Sequence, residues 1–327
     1  MTATMQDGAP RFNGDQDLSR RTDCCSMLYH NINMDAMHRR SLLLAPLVLA
    51  AAAPMPLVVV ASFSILADLA ARVGGDAVSV SSLVAPDGDA HTFQPRPSDL
   101  NRLKAAAVIV ENGLGLAPWL ARLVRSSGFR GQRIVAATDI TPRNFQEGGK
   151  TVIDPHCWQD PRNAARMVAT IAQGLATADP PRADAYRQRA DAFVAEILQL
   201  DAAIERTLAA IPPAKRQIIT SHDAFGYYGA RYGVVFRGVQ GLNTDAEPTP
   251  RDLARLAAQI RRDQIRAVFV ENMTDPRIAQ ALAREAGAVV GGKVYSDSLS
   301  PPDGPAPTYL AMLKHNTALF AEAMSKQ

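Results

Sequence analysis

The stretch LVVVASFSILADLAARVGGDAVSVSSLV, residues 57–84, sets a pattern that the rest of the chain repeats. Its β-branched run at 57–63 predicts a buried strand, the apolar spacing over 65–73 predicts an amphipathic helix, and 78–84 predicts a second strand. Strands that alternate with helices in this way are typical of βαβ units in a parallel sheet. From residue 57 onward the sequence therefore predicts an α/β fold.

This alternation runs twice, with a long helical stretch over residues 182–211 between the two runs. About 30 helical residues span about 45 Å, which favours a stiff connector over a core helix. We predict two lobes, each with a roughly four-stranded parallel sheet flanked by helices, joined by this rigid helix. No sequence repeat links the halves. The predicted boundaries are 54–178 for the N-terminal lobe, 179–213 for the linking helix and 214–327 for the C-terminal lobe.

The composition is that of an ordinary globular protein with space for two domains. The chain has 327 residues, of which 47% are hydrophobic and 20% are charged. The formal net charge is only +3, and no block of Lys or Arg occurs. The sequence therefore predicts no nucleic-acid partner.

Residues 1–53 are predicted to be absent from the mature protein. A basic start at 37–40, a short apolar run at 41–50 and the small residues at 51–53 form a secretory signal peptide. The apolar run is too short to span a membrane, although an N-terminal anchor is the alternative. Because no Cys follows that run, we expect no lipid anchor. The sequence predicts a monomeric periplasmic protein released by cleavage of the signal peptide.

Four short loop sequences each contain one potential metal ligand. They read DAHTFQP at 89–95, DPHCW at 154–158, TSHDAF at 220–225 and YSDSL at 295–299. Each lies near a predicted strand end or helix start, where an α/β fold places its working residues. Three imidazoles and one carboxylate are the ligands of a closed tetrahedral zinc site. The candidate ligands are His91, His156, His222 and Asp297.

Other residues compete for these roles or support them. Asp303 and Glu271 are alternative carboxylates for the fourth position. Asp154 and Asp223 are next to ligand histidines, where they either accept a hydrogen bond from an imidazole or only shape a turn. Cys157 follows a ligand histidine directly, and we expect it to be a small buried apolar residue rather than a ligand.

The four loops, together with QGLNTDAEPT at 240–249 and VFVEN at 268–272, resemble the metal-specific periplasmic solute-binding proteins of zinc/manganese ABC importers (cluster A-I). The resemblance covers residues 57–327, and all four loops match in order. It implies two lobes with a metal buried in the cleft between them, and delivery of the ion to an ABC permease. It also implies the ligand set His91, His156, His222 and Asp297.

We therefore expect a periplasmic zinc-binding protein that is not an enzyme. Manganese members commonly have Glu at the third ligand position, so His222 favours Zn²⁺ over Mn²⁺. Transport of manganese or ferrous iron is the alternative within the family. A zinc hydrolase, with Glu271 as its base, and a binder of a metal chelate such as a siderophore or cobalamin are alternatives of other classes.

Two further expectations concern loading of the site. Residues 141–151 form a loop without histidine, whereas many zinc members have a His-rich loop between the first two ligands. A separate periplasmic metallochaperone is therefore a candidate partner. Because imidazole binds metal only when deprotonated, we expect affinity to fall below the usual histidine pKa near 6.5.

Overall fold

The computed structural model describes residues 55–326 except 148, 243 and 246–247. The predicted signal peptide lies outside the described residues. The described residues form one compact unit. No helix within the described part of the chain is both long and apolar enough to cross a membrane.

The first half of the chain forms a four-stranded parallel sheet. Its strands are β1 (Leu57–Phe63), β2 (Val78–Val84), β3 (Val108–Glu111) and β4 (Gln132–Val135). Their order across the sheet is β2-β1-β3-β4. The helices of this lobe are α1 (Ser64–Gly74), α2 (Pro97–Ala105), α3 (Pro118–Ser127) and α4 (Pro161–Ala178). Since all neighbouring strands are parallel, their carboxyl ends lie at one edge of the sheet.

An antiparallel hairpin follows this sheet. Strand β5 (Arg143–Glu147) pairs with β6 (Lys150–Asp154), with Arg143 opposite Asp154. The loop expected over 141–151 is therefore wrong for most of that stretch. These strands lack a buried apolar face, so their sequence has no hydrophobic alternation that would predict them.

The long helix α5 (Ala183–Ala209) lies where the sequence predicts it. Its 27 residues span about 40 Å. One stripe of the helix is buried in the same core as α1 and α4, so α5 is a packed element as well as a connector. The buried apolar residues of that stripe are Tyr186, Ala190, Phe193, Ile197, Leu200, Ile204 and Leu208.

The second half of the chain forms another four-stranded parallel sheet. Its strands are β7 (Gln217–Thr220), β8 (Val235–Gly238), β9 (Ala267–Glu271) and β10 (Val289–Val294), in the order β10-β9-β7-β8. Counted within each lobe, both sheets have the strand order 2-1-3-4. The helices are α6 (Gly226–Tyr232), α7 (Pro250–Arg262), α8 (Pro276–Ala286) and α9 (Tyr309–Ser325).

The helix starts follow local chemistry that the sequence displays. Asp160, Thr249 and Asp275 each precede a proline at the first helical position, and each side chain accepts a backbone N–H of the first turn. The predicted architecture of two parallel four-stranded sheets and a long helix is confirmed. The division at 178/179 and 213/214 stays a prediction.

Candidate metal centre

Each candidate ligand lies just beyond the carboxyl end of a strand. His91 lies in the loop between β2 and α2, and His156 follows β6 by two residues. His222 follows β7, and Asp297 follows β10. One potential ligand atom from each of the four residues lies within 4.8 Å of the others, and all four residues are buried. The fold therefore brings together segments that are about 60 to 75 residues apart in sequence.

Five of the six distances between these atoms are close to those between ligands around a tetrahedral ion. The Nε2 atom of His156 lies 3.2 Å from Nε2 of His91 and 3.4 Å from Nε2 of His222. Oδ2 of Asp297 lies 3.0, 3.6 and 3.3 Å from the Nε2 atoms of His91, His156 and His222. Ligands bound at about 2.0–2.1 Å in a tetrahedron lie about 3.3–3.4 Å apart. A small cation fits between these four atoms.

The carboxylate of Asp297 has both oxygens available for such an ion. Both Oδ1 and Oδ2 are buried, and neither accepts a hydrogen bond from any described residue. A buried carboxylate without donors is costly unless a cation compensates its charge. One or both oxygens can therefore bind a metal, which permits four or five protein donor atoms.

His156 is held by Asp154, two residues earlier in the chain. Oδ1 of Asp154 accepts hydrogen bonds from the backbone N–H of His156 at 3.0 Å and from its Nδ1 at 2.8 Å. Oδ2 of Asp154 accepts from Arg143 at 3.1 Å. Asp154 is thus the imidazole acceptor that the sequence analysis left open, and it fixes Nε2 of His156 as the metal-facing nitrogen.

His222 is held by Glu271, which lies 49 residues away at the end of β9. Oε1 of Glu271 accepts the backbone N–H of His222 at 2.8 Å. Oε2 lies 2.6 Å from Nδ1 of the ring, although the two atoms are not aligned as a hydrogen bond. Asp223 accepts the backbone N–H of Gly238 at 2.7 Å and so shapes the turn instead.

The Asp297 segment is anchored to the first half of the chain. The side chains of Trp158 and Gln159 both donate to the carbonyl of Ser296 at 2.8 Å. The backbone N–H of Leu299 donates to Ser64 at 2.9 Å. The fourth candidate ligand therefore belongs to the second sheet by sequence but is positioned by side chains of the first lobe.

Proton affinities in the cluster are set by its charges. Burial lowers the pKa of His156, but Asp297 and Asp154 outweigh it and raise that pKa to about 9. Burial likewise lowers the pKa of His222, whereas Glu271 and Asp297 raise it well above the usual value. Burial raises the pKa of Asp297, but the two imidazoles hold it well below its usual range. Protons and a metal ion therefore compete for the same nitrogens.

The remaining sequence candidates lie elsewhere. Asp303 is exposed, and Glu271 contacts His222 rather than the point on which the three Nε2 atoms converge. Cys157 is buried beside Asn112 and Met167, and burial raises the pKa of its thiol to about 12. Sequence reasoning missed the role of Glu271 because no local spacing connects it to His222.

Comparison with known proteins agrees with this geometry. Residues 59–323 match the family model described as zinc-uptake complex component A, periplasmic (ZnuA). The chain belongs to this family. Its members are solute-binding components of metal ABC importers, so the expectation that the chain is not an enzyme is confirmed. Family membership also implies an ABC permease as partner and an extracytoplasmic location.

Individual relatives differ in the metal that their names give. The iron-binding protein YfeA of Yersinia pestis is 31% identical over 269 residues, covering 82% of this chain and 86% of the relative. The manganese-binding lipoprotein MntA of Bacillus subtilis is 32% identical over 279 residues, covering 83% and 91%. The structure of the periplasmic zinc-binding protein TroA of Treponema pallidum has a TM-score of 0.78 and 26% identity, covering 83% and 99%. Metal binding is common to these proteins.

Proposed function

We propose that this protein captures Zn²⁺ in a His₃Asp site made of His91, His156, His222 and Asp297. The observation that carries the proposal is the spacing of the four ligand atoms, close to the edges of a small tetrahedron. Three imidazole nitrogens and a single carboxylate suit Zn²⁺ better than Mn²⁺, which prefers more oxygen ligands. Four protein ligands would complete the tetrahedral coordination that Zn²⁺ prefers, which would leave no position for a catalytic water.

Manganese or ferrous iron is the second candidate cargo. The observation that favours it is the carboxylate of Asp297, whose two oxygens both lack a hydrogen-bond donor among the described residues. Binding through both oxygens gives five protein donor atoms, which suits ions that prefer a higher coordination number than zinc. The printed names of YfeA and MntA point the same way.

We further propose that the protein is periplasmic, that a signal peptide within residues 1–53 is cleaved, and that no lipid anchor follows. Several relatives are named lipoproteins, so this chain would differ from them in lacking an anchoring cysteine after its apolar run. We also infer a monomer that hands Zn²⁺ to an ABC permease and receives it from a metallochaperone. We also propose that the mature chain is divided into two lobes and a linking helix, with the lobes at 54–178 and 214–327 and the helix at 179–213.

Competition titration of metal-free protein with Zn²⁺ and Mn²⁺ tests the choice of cargo. We expect one Zn²⁺ per chain and a Zn²⁺ affinity well above that for Mn²⁺. Replacing one of four ligands removes about a quarter of an apparent binding free energy of about 10–16 kcal/mol, which corresponds to about 10²–10³-fold in affinity. His222→Ala should lose that much. Unchanged Zn²⁺ affinity of His222→Ala, or tighter binding of Mn²⁺ than of Zn²⁺ by the parent, contradicts the proposal.

A further inference from the structure

The expectation that no sequence repeat links the halves is wrong for one short segment, because the two sheets contain nearly the same pentapeptide at the same place. Val-Ile-Val-Glu-Asn covers residues 108–112 and Val-Phe-Val-Glu-Asn covers 268–272. Each begins in the third strand of its lobe, β3 or β9, and each glutamate is the last residue of that strand. Since both sheets have the same strand order, Glu111 and Glu271 occupy equivalent positions in the fold.

The surroundings of these two glutamates differ. Glu111 is partly exposed and accepts a hydrogen bond at 2.5 Å from Arg133, whose side chain is 47% exposed. Glu271 is fully buried, and neither Lys nor Arg pairs with it among the described residues. Its ionisable neighbour is the ring of His222. The chain therefore places one glutamate of the repeat at a surface ion pair and the other against a candidate ligand.

Glu271 contacts both the backbone and the ring of His222. Oε1 accepts the backbone N–H, and Oε2 lies 2.6 Å from Nδ1. Glu271 is itself fixed, because its backbone N–H donates to the hydroxyl of Ser221 at 3.1 Å. A negative charge beside Nδ1 favours the tautomer with the proton on Nδ1, which leaves the lone pair of Nε2 facing the other ligand atoms.

We propose that Glu271 is a positioning residue for the metal site, acting through His222, an inference that rests on the proposed function. It orients the ring, selects the tautomer that binds metal through Nε2 and contributes a buried negative charge. Asp154 does the same for His156, but Arg143 balances part of its charge. Among the described residues Glu271 lacks such a cation, so with His222 in its neutral, metal-binding form the negative charge is left for a divalent cation at the site to compensate.

Glu271→Gln tests this proposal, with Glu111→Gln as the matched control. The amide keeps an oxygen that can accept the backbone N–H of His222, but it removes the charge beside Nδ1. We expect Zn²⁺ affinity to fall about 10–100-fold in Glu271→Gln and to stay within about twofold of the parent in Glu111→Gln. Parent-like affinity in Glu271→Gln overturns the proposal.

Two further measurements separate positioning from a structural role. The thermal midpoint of metal-free Glu271→Gln should stay within a few degrees of that of the parent. The visible absorption bands of its Co²⁺ complex should shift relative to the parent, whereas the bands of the Glu111→Gln complex should superimpose on those of the parent. Combining Glu271→Gln with His222→Ala should cost no more Zn²⁺ affinity than His222→Ala alone. An additional loss of tenfold or more in the double variant overturns the proposal, because Glu271 would then act without His222.

Glu271→Asp covers the case in which the glutamine variant fails to fold. Aspartate keeps the negative charge, but its side chain is one methylene shorter and so places the carboxylate farther from His222. Zn²⁺ affinity should therefore fall again, and parent-like affinity overturns the inference. The outcomes also separate this inference from the proposed function. If neither the parent nor Glu111→Gln binds Zn²⁺, the proposed function fails. If both bind Zn²⁺, and His222→Ala loses affinity while Glu271→Gln keeps it, only the role of Glu271 fails.

Discussion

The two lobes have the same strand order, yet they hold their histidines in different ways. In the first lobe, the carboxylate behind His156 is Asp154, two residues away and bonded to the partly exposed Arg143. In the second lobe, the carboxylate behind His222 is Glu271, which comes from another strand and has no Arg or Lys partner among the described residues. The same strand order can therefore support a candidate ligand histidine through a carboxylate that is near in sequence or through one that is distant. The net charge beside the two histidines differs as a result.

The largest expected effect tests whether the two lobes contribute equally. His156→Ala should lower Zn²⁺ affinity by about 10²–10³-fold, the same range as His222→Ala, because each removes one of four donors. Competition titration with a chelating indicator measures both. A difference of more than about tenfold between the two variants breaks the equivalence, and the weaker effect identifies the lobe that binds the ion less strongly.

The next effect is the pH dependence that the charges around His156 impose. Its pKa is raised to about 9 in the metal-free fold, against about 6.5 in the unfolded chain. Protonated His156 therefore stabilises the metal-free fold fully below about pH 6.5, and this contribution is lost as pH rises through about 9. Zn²⁺ must displace the proton, so Zn²⁺ affinity should rise with pH between these values, by about tenfold per unit for one proton.

Thermal unfolding and Zn²⁺ titration of the metal-free protein from pH 6 to 10 measure this dependence. His156→Gln should flatten the stability curve over that window, since it removes the titrating ring. The sequence alone placed the loss of affinity below pH 6.5. A Zn²⁺ affinity that is constant above pH 6.5 would support the sequence-based expectation and contradict the one from the structure.

The smallest effect concerns Arg143. Arg143→Ala removes a cation from Asp154 but leaves the hydrogen bonds of that carboxylate to His156. Because the Arg143 side chain is 38% exposed, water screens its charge, and Zn²⁺ affinity should change by less than about fivefold. Arg133→Ala, at the surface pair with Glu111, is the control and should change nothing. If Arg143→Ala loses more Zn²⁺ affinity than Glu271→Gln, the charge balance behind His156 matters more for the site than the charge behind His222, which is the opposite of what we expect.

Most of the fold could be predicted from the sequence. The strand over 57–63, the helix after Asp160 and the long helix α5 follow from apolar periodicity and from capping residues. The hairpin of β5 and β6 could not, because neither strand has a buried apolar face that would impose hydrophobic alternation. A tertiary contact, which the sequence does not display, joins the hairpin to α6: the backbone N–H of Arg143 donates to the hydroxyl of Tyr227. Hydrophobic periodicity therefore predicts a helix or strand only where one face of that element is buried.

The candidate site likewise has features that could be predicted from the sequence and features that depend on tertiary contacts. Its four residues could be chosen from residue type and loop position, and Asp154 was a candidate because it is near His156 in sequence. The choice of Asp297 over Asp303, the role of Glu271 and the anchoring of Ser296 by Trp158 depend on contacts between distant segments.

The α/β alternation, the long helix and the kinds of candidate ligand follow from the amino-acid sequence, because periodicity and side-chain chemistry are local properties. The tertiary structure alone decided that three Nε2 atoms and Oδ2 of Asp297 converge, and that one glutamate of a repeated pentapeptide contacts a ligand while the other contacts solvent-exposed Arg133. The physical reason is that His91, His222 and Asp297 follow strands of two separate parallel sheets and His156 follows the antiparallel hairpin, so only the packing of these elements brings the four loops together. Because the carboxylates of Asp297 and Glu271 are buried where these loops meet, their negative charges are the ones that a bound cation would compensate.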